Sequence, residues 1–172
     1  MKENFPANLD LIKAQMLIYG PAGLRIENIR QEIASLEYGG CNFQIKGLNI
    51  QFRVGKITPK KVGQFVTFYK RAPLEIIIPY EIHDPFDFLV VSVSKEERFA
   101  QFVFPKSILS QMGILSKDGV EGKRAFRIYP SWDNPINLQA KKTQKWQLLY
   151  FFEVSSDSPV ALNVNRLYFS KI

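Results

Sequence analysis

Leu9, Ile12, Met16 and Tyr19 recur at three- and four-residue intervals, the spacing of one helical face. Asn8 stands where an N-cap belongs, so the pattern predicts a helix from Asn8 to Tyr19, closed by Gly20-Pro21. Beyond it the period falls to two. Leu24–Ile33 reads as a strand of mixed pattern. Cys41–Ile45 and Leu48–Val54 read as a hairpin around Lys46-Gly47, with Ile50, Phe52 and Val54 on one face and Gln51 and Arg53 on the other. Gly63–Tyr69 alternates as a further strand. Phe88–Val93 is apolar throughout, as in a central strand buried on both faces, and Phe99–Phe104 pairs with it across Ser94–Arg98. Pro105 opens a short helix, Lys106–Met112. Phe126–Tyr129 is a short strand. Asn134-Pro135 resembles a cap and first turn, with the helix running to Phe151 or Phe152 and burying Ile136, Ala140, Leu148 and Phe151. Leu162–Tyr168 reads as a last strand or extended tail. The sum is an α+β chain, one domain over residues 1–172, with a mixed, mostly antiparallel, curved sheet flanked by helices.

Composition narrows the class. The 172 residues are 46% hydrophobic, which excludes disorder as the main state. A single cysteine, Cys41, excludes a disulfide framework. No apolar run approaches the ~20 residues of a membrane span, and the first twenty residues lack the build of a signal peptide. A cytoplasmic location and no membrane partner are therefore expected; the oligomeric state is left open.

Charge changes the picture further. The net charge is +7, and it is unevenly placed. Residues 42–72 carry seven bases and no acid, whereas residues 106–145 carry eight bases and three acids. Folded side by side, the two blocks would make a positive surface suited to a polyanion; folded apart, they would merely solvate the protein. Tyr129, Trp132 and Trp146 sit among the bases of the second block. Cations that track phosphates beside aromatic faces that stack on bases are the means of binding single strands. The competing reading buries both indoles in the core.

A search for catalytic groups returns little. His83 is the sole histidine, and nothing in the sequence brings it to Cys41. Zinc in its usual forms needs more Cys and His ligands than exist. No phosphate loop, dinucleotide fingerprint or nucleophile elbow is present, so neither cofactor nor metal is expected. Metal-assisted phosphodiester cleavage needs converging carboxylates. Asp84 and Asp87 precede an apolar strand, but Gln44, Gln51 and Gln101 offer amides where acids would be required. A rearranged site would have to draw on Asp84, Asp87 and Glu32 or Glu37.

Five segments carry a resemblance: Lys56–Arg71 (KITPKKVGQFVTFYKR), Asp84–Val93 (DPFDFLVVSV), Phe99–Leu109 (FAQFVFPKSIL), Gly122–Pro135 (GKRAFRIYPSWDNP) and Ala140–Val154 (AKKTQKWQLLYFFEV). Together they resemble the MepB family, small bacterial proteins associated with drug-resistance operons. The resemblance implies a fold similar to the PD-(D/E)XK restriction-endonuclease core, nucleic-acid binding, and loss of the catalytic residues. The acid-x-lysine strand would correspond either to Gln51-Phe52-Arg53 or, in the Asp87 hairpin, to Gln101-Phe102-Val103. Both placements lack the acid, so Gln44, Gln51, Arg53, Asp87 and Gln101 are expected to be degenerate nuclease-site positions and no catalytic residue is assigned. Lys60, Lys61, Lys70, Arg71, Lys106, Lys123, Arg124, Arg127, Trp132 and Lys141 are expected to contact nucleic acid, single-stranded DNA or RNA rather than duplex, with little sequence preference. The alternatives are a divalent-metal nuclease with a rearranged carboxylate site, and a protein-interaction module.

Overall fold

A computed structural model describes residues 8–32 and 38–170; Ile33 and Glu37 lie outside the described residues. Six strands form the main sheet: β1 (Glu27–Gln31), β2 (Cys41–Ile45), β3 (Leu48–Val54), β8 (Phe88–Lys95), β9 (Arg98–Pro105) and β11 (Phe151–Glu153), in the order β1-β2-β3-β8-β9-β11. All neighbours are antiparallel except β3 and β8, which run parallel. Between them in sequence lie β4 (Lys56–Thr58), β5 (Lys61–Thr67) and the ribbon of β6 (Lys70–Arg71) with β7 (Ile77–Ile78). β10 (Ala125–Ile128) joins β5, giving a second sheet of order β10-β5-β4. The fold is thus a mixed α+β domain.

The β2–β3 hairpin follows from Lys46 and Gly47. Both adopt positive φ, 47° and 78°, the two-residue turn whose twist matches its strands. β8 is central and buried from Leu89 to Val93, and it pairs with β9 over its whole length. Gly55 joins β3 to β4. A Cβ there would lie 2.7 Å from Gln64 Oε1 and 3.0 Å from Val93, so a larger residue at the bend would have to push both side chains aside.

Helix α1 (Leu9–Ala14) continues as a wider π turn to Tyr19, and Asn8 caps it by accepting from Leu11 N–H at 3.1 Å. The buried face is Leu11, Ala14 and Ile18 with Tyr19, not the predicted Leu9, Ile12 and Met16; Leu9 is 76% and Met16 70% exposed. Both stripes have helical spacing, but Ala14 lacks bulk and lets the helix settle closely on the sheet. The predicted final strand is also helical: α4 (Val160–Val164) follows Pro159 and widens to Phe169, burying Val164, Leu167 and Tyr168. These helices pack on Phe43, Ile50, Phe52, Val90, Phe99 and Val103.

The opposite face of the sheet packs under β5, β10, the Tyr80–Phe86 segment and helix α2 (Lys106–Gln111), through Val66, Phe68, Ile128, Ile108 and Leu109. Helix α3 (Leu138–Gln147) flanks β10. It starts three residues later than predicted, because Asn137 supplies the cap to Ala140 N–H at 2.8 Å, and Ile136 is left 86% exposed. It also stops earlier, since Phe151–Glu153 pairs with β9 as β11. No helix among the described residues is long and apolar enough to cross a membrane.

Burial governs the titration of this core. It pushes the Cys41 thiol and the Tyr19 phenol up to about 12, and that of Tyr80 to about 12 with help from Glu32 beside it; Tyr168 is raised well above its usual range. Between the ordinary values of 9.0 and 10.0 and about 12, the unfolded chain has lost protons the folded chain keeps. Stability therefore falls as pH rises above about 9 and continues to fall toward about 12. Urea midpoints taken from neutral pH upward should decline over that window; a flat profile would contradict the assignment.

Candidate nucleic-acid interface

Pairing of β5 with β10 brings the two basic blocks together. Arg127 faces Phe65, and Lys56 of β4 faces Phe65 from the other side, so the three strands share one row. Gly63 has φ +82°, and a Cβ there would lie 2.7 Å from the Tyr129 ring, so glycine is required for that ring to lie against the strand.

Beside this sheet are two concavities. One, of about 480 Å³, is lined by Lys60, Lys61, Lys95, Trp132, Asp133 and Asn134, over Pro59 and Gly63, with Lys95 paired to Asp133 at 3.4 Å. Lys60 and Lys61 are exposed and have no partner among the described residues. Trp132 is half-buried; Arg98 lies over its ring at 4.7 Å, Phe151 meets it edge-on at 6.0 Å, and its Nε1–H is buried without an acceptor. The other, of about 530 Å³, runs between β10 and α3 and is lined by Lys123, Arg127, Tyr129, Thr143 and Trp146. Arg127 joins the two, donating to the Val62 and Gly63 carbonyls at 3.3 and 3.1 Å and to Thr58 Oγ1.

The other predicted contacts are more engaged. Lys70 pairs with Asp84 at 2.7 Å, Arg71 with Glu75 at 3.3 Å, and Arg124 with Glu121 at 2.5 Å. Lys106 donates to the Asp84 carbonyl and lies over Phe86. Lys123 and Lys141 are exposed and unpaired among the described residues. Lys95 and Arg98, which the sequence did not single out because they sit in a charge-balanced turn, lie beside Trp132 but are engaged too, with Asp133 at 3.4 Å and Glu153 at 2.7 Å.

The amide positions divide between the faces of the sheet. Gln101 lies in the helical layer, accepting from Tyr168 Oη–H at 2.9 Å and donating to Tyr19 Oη at 3.3 Å and Ser92 Oγ at 3.2 Å. Gln51 and Arg53 lie on the opposite face. Arg53 is fully buried, donating to Glu32 at 2.6 Å and to the Phe52 carbonyl at 2.8 Å. Tyr80 Oη lies 3.4 Å from both Glu32 and Gln51. Gln44 bonds Asn49, and Asp87 accepts the Asn49 N–H at 2.7 Å. Asp84 is taken by Lys70 and by the Glu81 N–H. Among the described residues no three metal-ligating side chains gather. Cys41 is buried in the helical layer, whereas His83 lines a separate cleft with Ser116–Glu121, so they form no pair.

The family model of MepB-like proteins matches residues 32–153. The chain belongs to the MepB-like family. The crystal structure of MepB is similar to this MepB-like chain at 32% identity and a TM-score of 0.75, covering 88% of this chain and 99% of that one. A bacterial homing endonuclease, I-Ssp6803I, is similar at 16% identity and a TM-score of 0.38, over 84% of this chain and 91% of its own. Among curated proteins none matches the MepB-like chain.

Proposed function

We infer that this MepB-like chain binds single-stranded nucleic acid, without cleaving it, along the surface shared by its two basic segments. The observation that carries the reading is the concavity in which unpaired Lys60 and Lys61 face Trp132. Ammonium groups there meet phosphates, beside the exposed part of the half-buried Trp132 indole. Lys123 and Lys141 extend the track past Arg127. Lys70, Arg71, Lys106 and Arg124 contribute less, since each already has an acid or a carbonyl.

The inactivity of the site is part of the proposal. On a nuclease-like scaffold, Gln51-Phe52-Arg53 would take the acid-x-lysine position of β3. There Glu32 is neutralised by Arg53 rather than free to hold a cation. Amides lack the charge that retains Mg²⁺.

Four lysine–phosphate contacts imply a log–log salt slope of about −3 for a single strand. Lys60→Glu with Lys61→Glu should lower affinity for labelled single-stranded DNA or RNA by at least about tenfold and roughly halve that slope. Unchanged affinity and slope in the folded double variant would overturn the binding reading. Cleavage dependent on Mg²⁺ or Mn²⁺ and lost in Asp87→Ala would overturn the inactive one.

A further inference from the structure

The face of β1, β2 and β3 left uncovered beyond Pro85 carries a second site. Its floor is a grid of polar side chains: the cross-strand row Arg30–Asn42–Gln51, and the pair Gln44–Asn49, which Asn28 joins from the bulge although Glu27 holds the register position opposite Gln44. Neighbouring strands are about 4.8 Å apart, so the hydrogen-bonding groups of a row are spaced about that far from one another. The cleft measures about 380 Å³, toward the small end of ligand sites. Among the described residues no carboxylate lines it.

The arrangement is built. β1 carries a bulge between Glu27 and Arg30, and Asn28 within it has φ 53°. Bulges re-aim side chains beside sites. This one sends Asn28 Nδ2 to Gln44 Oε1 at 2.6 Å; Gln44 Nε2 then donates to Asn49 Oδ1 at 2.8 Å. The relay occupies the Gln44 and Asn49 oxygens and leaves those of Asn28 and Asn42 open among the described residues. Asn49 and Gln51 keep amino hydrogens free, and Arg30 and Asn42 have no partner among the described residues, so the cleft offers a planar fork and several N–H groups to a ligand that accepts.

We propose that this cleft holds the acceptor-bearing edge of one nucleobase, guanine above all. A guanidinium fork matches guanine O6 and N7, and an amide beside it can bond a neighbouring edge. A phosphate would find one cation here, against several around Trp132. The choice of a nucleobase rests on the nucleic-acid reading above, but no residue is shared with the lysine–tryptophan concavity, so the two can fail separately.

The test titrates the full chain with guanosine, the other three nucleosides and inorganic phosphate, following side-chain NMR signals. Guanosine should shift the amides of Asn42, Asn49 and Gln51 and leave the Trp132 indole unmoved. Arg30→Ala, an exposed change, should weaken it about tenfold, as should Gln51→Glu, which replaces a donor by an acceptor. Lys60→Glu with Lys61→Glu should leave guanosine binding intact while polymer binding falls. No nucleoside shift at these amides, or a shift produced equally by phosphate alone, overturns the proposal even if the chain binds polymers. Guanosine binding by a chain that binds no polymer upholds the cleft and defeats the wider reading.

Discussion

Glu32→Ala should destabilise the fold by about 3–5 kcal/mol, the range for stranding a buried charge. Arg53 is fully buried on β3, and Glu32 at 2.6 Å is its only acidic partner among the described residues. It also donates to the Phe52 carbonyl and meets the Tyr80 hydroxyl, its guanidinium lies 5.6 Å from the Phe68 ring centroid, and its Nε–H has no acceptor among the described residues. A guanidinium cannot shed its proton to escape. Removing Glu32 thus leaves a full charge with only neutral neighbours among the described residues. Arg53→Met should cost less, because the cation goes with the side chain and the Glu32 side chain, 19% exposed, can reach water. Urea unfolding of both variants measures the asymmetry; equal losses would refute it.

Gln147→Leu should cost about 2–4 kcal/mol, from two half-buried backbone groups left unpaired, each in the lower part of the ~1–3 kcal/mol that a buried one costs. Gln147 is fully buried and stands in for a strand along the free edge of β10. Its Oε1 accepts the Tyr129 N–H at 2.9 Å and its Nε2 donates to the Arg127 carbonyl at 3.0 Å. Leucine fills similar space but offers neither bond. Denaturant unfolding gives the loss, and amide exchange at Tyr129 locates it. A loss below about 1 kcal/mol, the net worth of one ordinary hydrogen bond, would show that the edge is satisfied some other way.

Period and punctuation made much of this fold legible. The Lys46-Gly47 hairpin, the buried β8 run and the Pro105 helix were written in turn chemistry and alternation. What escaped was settled by tertiary contact. Helix α1 is apolar on two faces, and only packing against the sheet selects Ala14 over Met16. Asn134 and Asn137 have the same capping chemistry, and the chain uses the second. The strands β4, β6 and β7 are two or three residues long, too short to carry a period. In the candidate interface, charge blocks and aromatics pointed to Lys60, Lys61 and Trp132. The ion pairs that occupy Lys70, Arg71 and Arg124 depend on acids brought in by folding, which composition does not reveal. The grid around Asn42 was invisible because it depends on register and on a bulge, although two members, Gln44 and Gln51, stood out as amides where acids were sought.

The bend at Gly55 has a mechanical consequence. One uninterrupted stretch of backbone, Leu48 to Thr58, is stitched into both sheets, and Gly55 N–H is itself tied to the Ser92 carbonyl at 2.9 Å. The smaller sheet therefore has no hinge of its own there. Peeling it away would drag on the middle of the larger one, so the sheet that carries Lys61 cannot detach as an appended flap does.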